Sequence, residues 1–158
     1  MIEQLMTHVL QEMRKMGSTP QPPCPRGRIE ELRRTVLQEF GQTLPEEYLR
    51  ALSIVDGLAW CGVHLFSSDL SQWVRRACTV PYGFLEMNRC SRDFEPNCDY
   101  LIFADDGVAN YTYCISARQY QVVLTVGLTL MATYDTFEEL MMDAFKSAIP
   151  DWHYERKS

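Results

Sequence analysis

The chain has 158 residues, 46% hydrophobic and 23% charged, with a formal net charge of −6. This is the size and composition of one soluble globular domain, able to bury roughly two-thirds of its unfolded surface without a metal or disulfide. The negative balance argues against direct binding of nucleic acid, which needs a positive surface, and suits a basic protein partner; it also simply keeps a chain soluble.

Residues 2–16 read as an amphipathic helix. Ile2, Leu5, Met6, Val9, Met13 and Met16 recur at helical spacing, and Gly17 is the stop. Residues 18–27 hold four prolines and read as an extended connector. A second helix is expected over 28–40, with Ile29, Leu32, Val36 and Phe40 on one face and Gly41 at its end. The stretch Thr43–Phe66, TLPEEYLRALSIVDGLAWCGVHLF, has the clearest start signal. Thr43 is placed to cap a helix, Pro45 falls in its first turn and Glu46 completes a T-x-x-E box. Tyr48, Leu49, Leu52 and Val55 form its buried stripe, and Asp56-Gly57 stops it. Residues 58–66 then read as a strand broken by Gly62.

A short helix is expected over 67–77, capped by Ser68, with Leu70, Trp73, Val74 and Ala77 turned inward. Pro81 and Gly83 bracket a turn, and 84–94 read as one more helix. Residues 100–104 and 108–116 are strands joined through Asp105-Asp106-Gly107, a strong hairpin signal. In the second of them Ala109, Tyr111, Tyr113 and Ile115 alternate with Asn110, Thr112, Cys114 and Ser116, so one face packs and the other meets water. Strands at 121–126 and 129–134 follow. Thr136, with Glu139 three residues on, caps a last helix over 137–148, whose stripe is Phe137, Leu140, Met141, Ala144 and Phe145. Pro150 ends it, and 151–158 form a polar tail. The order predicts a single α+β domain with an antiparallel sheet of about four to six strands. N-terminal helices and a closing C-terminal helix flank the sheet. Its parts are an N-terminal helix to residue 17, the connector 18–27, a core from 28 to 150 and the tail.

Signals for chemistry are few. The six cysteines contain no C-x-x-C pair and read as reduced thiols. The first ten residues, with Glu3, Gln4 and His8, lack the basic start and apolar run of a signal peptide, and no apolar run is long enough for a membrane span. The expected place is the cytoplasm. Asp105 and Asp106, with Asp99 nearby, are the best carboxylate cluster, yet Asp is favoured in turns for its own hydrogen bonds. A calcium loop would need alternating ligands and a distal Glu that are missing. His8, His64 and His153 form no ligand motif. Cys61 and His64 could suggest a nucleophile and base, but three apart in a strand they leave on opposite faces. No phosphate-cradling or hydrolase motif occurs. No cofactor is implied. Trp60, Trp73, Tyr82, Tyr111 and Tyr113 are the aromatic residues that could anchor an interface. Tyr111 and Tyr113, sharing a face, suit packing under a helix.

Four features together resemble a known family: the LPEEYLRAL helix, the Asp56-Gly57 turn after it, the strand DGVANYTYCI and the closing TYDTFEELMMDAF. They resemble the SUKH superfamily, which includes a yeast cell-wall-assembly regulator and many bacterial immunity proteins, with a YrhA-like branch most similar. In that family an Asn-Gly step leads into the first strand; here it is Asp-Gly. The family's D-G…Y-x-[LI] strand is matched by Asp106, Gly107, Tyr113 and Ile115, and its final helix by Thr136, Phe137, Glu139 and Leu140. The resemblance runs from Leu44 to the last helix. It implies an α+β domain that binds other proteins without catalysis. The expected function is that of an immunity protein neutralising a cognate toxin, such as a basic nuclease. The alternatives are a regulatory scaffold with cellular partners and a small metal-dependent enzyme using Asp105 and Asp106. The expected partner-binding residues are Asp56, Trp60, Asp105, Asp106 and Tyr111, with Asp56 and Trp60 exposed at the helix-to-strand corner. The chain is expected to be a monomer or homodimer.

Overall fold

The computed structural model describes residues 1–68 and 82–149. The helix expected over 67–77, with Trp73, therefore lies almost wholly outside the described residues, as do Pro81, Pro150 and the tail. Among the described residues, five helices and a six-stranded sheet make the expected α+β arrangement. The helices are α1 (Ile2–Lys15), α2 (Arg26–Phe40), α3 (Glu46–Ile54), α4 (Phe84–Ser91) and α5 (Phe137–Phe145). The strands are β1 (Leu58–Trp60), β2 (Val63–Leu65), β3 (Tyr100–Asp105), β4 (Ala109–Cys114), β5 (Gln119–Leu124) and β6 (Leu130–Tyr134). Strand order follows chain order, and every neighbouring pair is antiparallel. Helix α5 packs on β4, β5 and β6; α1 packs against α3 and α5, α2 against α3, and α4 against β3.

Among the described residues, the helical stripes expected from sequence are buried, with one exception at each of two ends. Met16 lies past α1 and is exposed, while Leu10 joins the buried face. Phe40 is half-buried, and the Arg92 guanidinium sits 4.0 Å over its ring. Thr136 caps α5 as expected: its hydroxyl accepts from the Glu139 amide at 3.2 Å, and the Glu139 carboxylate reaches back to the Thr136 amide.

Thr43 does not cap α3. Pro45 holds the N-cap place instead, and Glu46 pairs with Arg33 of α2. The cause is local. A residue before proline is pushed out of helical conformation, so Leu44 cannot be the first helical residue that a Thr43 cap requires. The stop also differs. Helix α3 ends at Ile54 and Val55 is already extended; Gly57, at φ +78°, forms a tight turn with its amide on the Val55 carbonyl at 2.8 Å.

Residues 58–66 are not one broken strand but a hairpin. Cys61 and Gly62 take φ of +49° and +81°, the two left-handed residues of a tight turn, and the chain folds back with Trp60 opposite Val63. The helix expected over 84–94 stops at Ser91, and a 3-10 turn, Glu95–Asp99, leads into β3.

Both faces of β4 are covered. Ala109 and Tyr111 are buried as expected, but so are Thr112 and Cys114 on the opposite face. The cross-strand row of Thr112, Ile102–Thr112–Gln121, is buried throughout. The Thr112 hydroxyl donates to the Gln121 carbonyl at 2.9 Å, so no polar group is stranded there.

Among the described residues, no strand pairs with the outer side of β3 beyond Leu65. Asn88 of α4 takes that place. Its amide nitrogen donates to the Ile102 carbonyl at 2.8 Å and its oxygen accepts from the Ile102 amide at 2.8 Å, inside the protein. A third bond, to the Phe84 carbonyl at 2.9 Å, holds the side chain. Asn88→Ala leaves two backbone groups of Ile102 buried and unpaired, and stability should fall by about 2–4 kcal/mol. Urea denaturation measures this; a loss below about 1 kcal/mol would show that the pairing carries no weight.

Candidate functional site

Asp56 is buried, which corrects its expected exposure at the corner after α3. Its two carboxylate oxygens accept from the Ser68 amide at 2.7 Å and the Ser68 hydroxyl at 2.8 Å. Ser68, expected as a helix cap, spends its hydroxyl here and accepts from the Cys24 thiol at 3.2 Å. Cys, Ser and Asp thus line up as a relay would. The chemistry does not follow the geometry: burial pushes the Cys24 thiol up to about 11, so it is protonated and unreactive near neutrality. The neighbouring backbone explains the cluster better. The Cys24 amide donates to the Leu52 carbonyl and the Asp56 amide to the Pro22 carbonyl, at 2.9 and 3.0 Å. The set fastens the proline-rich connector to the end of α3.

Cys61 and His64 do not meet as nucleophile and base. Cys61 sits exposed in the hairpin turn, and His64 lies in β2 with its side chain opposite the buried Val63 and Leu65. His64 has another partner. Its Nδ1 is 3.1 Å from Oδ1 of Asp105, and its ring meets Tyr82 edge-on at 5.8 Å between centroids. No local pattern announces this pair, because the residues are 41 apart and only the β2–β3 register makes them neighbours.

Asp105 and Asp106 are adjacent but serve different partners. Asp106 folds over its own turn, accepting from the Val108 and Ala109 amides at 2.9 and 2.7 Å. Its other oxygen accepts from the Tyr111 hydroxyl at 3.3 Å. Tyr111 is 6% exposed and belongs to the core, so its side chain is no surface anchor. Burial, then the Asp106 charge, raises its hydroxyl pKa. Among the described residues no three His, Cys, Asp or Glu gather to hold a metal ion, and no helix is long and apolar enough to cross a membrane.

The registers bring a surface together. His64 opposite Asp105 puts the Cys61-Gly62 turn beside the Asp106–Val108 turn. Ala109 opposite Leu124 puts the β5–β6 turn beside them, with the Thr125 amide donating to the Val108 carbonyl at 2.9 Å. One end of the sheet therefore carries Trp60, His64, Asp105 and Asp106 together with Val108 and Val126, which are 67% and 87% exposed. Trp60 is half-buried, and its indole Nε1 is enclosed without a hydrogen-bond partner among the described residues. Of the five expected partner-binding residues, Trp60, Asp105 and Asp106 share this end. Asp56 and Tyr111 have their side chains in the interior. Val108 and Val126 were missed, because single valines in turns give no sequence signal until the register aligns them.

The Cys24 fastening is testable through pH. The folded protein holds the thiol proton more tightly than the unfolded chain does. Its contribution is whole below an ordinary thiol pKa of 9.0 and is lost as pH rises to about 11. The stability gap between the parent chain and Cys24→Ala should therefore narrow between about pH 7 and about pH 10.5. Chemical denaturation at the two values checks it; a constant gap would place Cys24 outside the fastening.

No protein-family profile and no curated protein sequence matches this chain.

Proposed function

We propose that this chain is a non-catalytic protein-binding module, and that it acts as an immunity protein, neutralising a cognate toxin domain in the cytoplasm of the cell that makes both. The observation that carries the binding reading is the turn-lined end of the sheet. There an aromatic residue and two exposed valines lie beside two carboxylates. Apolar groups rimmed by charge are what a specific protein contact uses: the apolar centre supplies affinity and the rim supplies orientation and on-rate. The immunity reading rests on the SUKH resemblance, and the net charge of −6 fits a basic toxin such as a nuclease.

The test is protection. The chain, expressed with the toxin domain encoded beside it, should restore growth and co-purify with that domain. Failure of both ends the immunity reading. Within a working complex, Val108→Lys with Val126→Lys should weaken binding by about tenfold or more, because two exposed apolar contacts become charges facing a basic partner's apolar centre. Asp105→Asn should mainly slow association and flatten its salt dependence. Calorimetry and stopped-flow kinetics separate the two effects, and unchanged affinity in the double variant would move the interface elsewhere.

A further inference from the structure

A cleft of about 200 Å³ lies between the loop leading into α3 and the cross-strand row Leu101–Tyr113–Tyr120. Leu101 and Phe103 are buried beneath it. Tyr113 and Tyr120 are half-buried in its wall, their rings edge-to-face at 5.1 Å. Gln42 and Thr43 complete its polar lining. The Thr43 hydroxyl is not spent on capping α3, because Pro45 holds the N-cap place. Among the described residues the Tyr113 and Tyr120 hydroxyls have no hydrogen-bond partner. Leu101 and Tyr113 lie toward the opposite end of β3 and β4 from Asp105 and Asn110, so the cleft is apart from the turn-lined end.

Every polar group of the lining can accept a hydrogen bond: the hydroxyl oxygens of Thr43, Tyr113 and Tyr120, and the Gln42 amide oxygen. The described lining holds no Lys, Arg or Trp, the side chains that only donate. Tyrosine rings also attract cations to their faces. The charge beside the cleft is negative. Glu47, in the first turn of α3, acts on the Tyr120 hydroxyl, which burial and then the Glu47 charge hold well above its ordinary pKa. The Glu47 carboxylate accepts from the Phe137 and Glu138 amides at the start of α5, which fixes it in place. Arg50 also acts on it but is paired with Glu3 at 3.1 Å. An anion would meet Glu47 with no lining cation to offset it. A cation gains from both the carboxylate and the rings. We propose that this cleft binds an alkylammonium head group, such as the end of choline or of a lysine side chain. It is smaller than the ~300–1,000 Å³ of sites for drug-sized ligands, so it takes a head group and little more.

The test is an NMR titration of the full chain at constant ionic strength, following the ring resonances of Tyr113 and Tyr120. The probes are choline, n-butylammonium, and dimethylbutanol with a tert-butyl end, the neutral isostere of choline. Both cations should bind with a Kd in the millimolar range, as expected for so few atoms. The neutral isostere should bind about fivefold more weakly or worse, since charge is the only difference. Choline the tighter of the two cations points to a methylated amine as the natural ligand; butylammonium the tighter points to a lysine side chain. Glu47→Gln should weaken choline about threefold and leave the isostere unchanged. Tyr113→Leu should weaken choline about fivefold. Circular dichroism confirms that the variants fold. If Tyr113→Leu does not fold, choline against its isostere on the parent chain decides alone. The proposal is overturned if neither cation shifts either tyrosine at concentrations well above the millimolar range. It is also overturned if the isostere binds as tightly as choline, or if choline keeps its affinity in folded Tyr113→Leu.

Discussion

The fold turns on the side chain of Tyr48. It leaves α3, is fully buried, and donates its hydroxyl to the Phe66 carbonyl at 2.7 Å. Burial raises that hydroxyl's pKa well above the ordinary value, so it stays a donor. Around the ring stand Phe103 at 5.1 Å and Phe84 and Phe137 at 5.6 Å, centroid to centroid. These residues begin α4 and α5 and sit at the irregular step of β3. One side chain thus ties a helix, the end of β2, the centre of the sheet and the starts of two more helices. Each aromatic pair adds about 0.5–1.5 kcal/mol beyond the burial of its area. The constraint has a functional consequence. The Phe66 amide donates to the Phe103 carbonyl at 2.9 Å, so Tyr48 helps fix the β2–β3 register. That register is what places His64 beside Asp105 and aligns the turns.

Two polar side chains complete what the short hairpin leaves unfinished. Strands β1 and β2 are three residues each, too short to cover the length of β3. Asn88 pairs with Ile102 as a strand residue would, and Asp56 gathers the amide and hydroxyl of Ser68 just past the end of β2. Both are buried, and both have their oxygens satisfied by the protein's own donors, which keeps burial from costing more than it returns. An isolated Asn or Asp in the sequence gives no hint of this. Its partner comes from another element.

What could be read from the sequence was whatever depends on neighbours in the chain. The spacing of Leu5, Val9 and Met13, the Thr136–Glu139 box and the Asp106-Gly107 turn all specify structure within a few residues, and all are present. The Thr43 box failed because a second local rule, proline's restriction of Leu44, outranked it. The strand over 58–66 failed because Cys61, an unlikely left-handed residue by type, accepts that conformation to close a two-residue turn. The exposure expected for Thr112 and Cys114 failed because alternation reports residue type, not what covers each face. The candidate surface was half legible for the same reason. Trp60, Asp105 and Asp106 stand out by type; Val108 and Val126 acquire meaning only through the register.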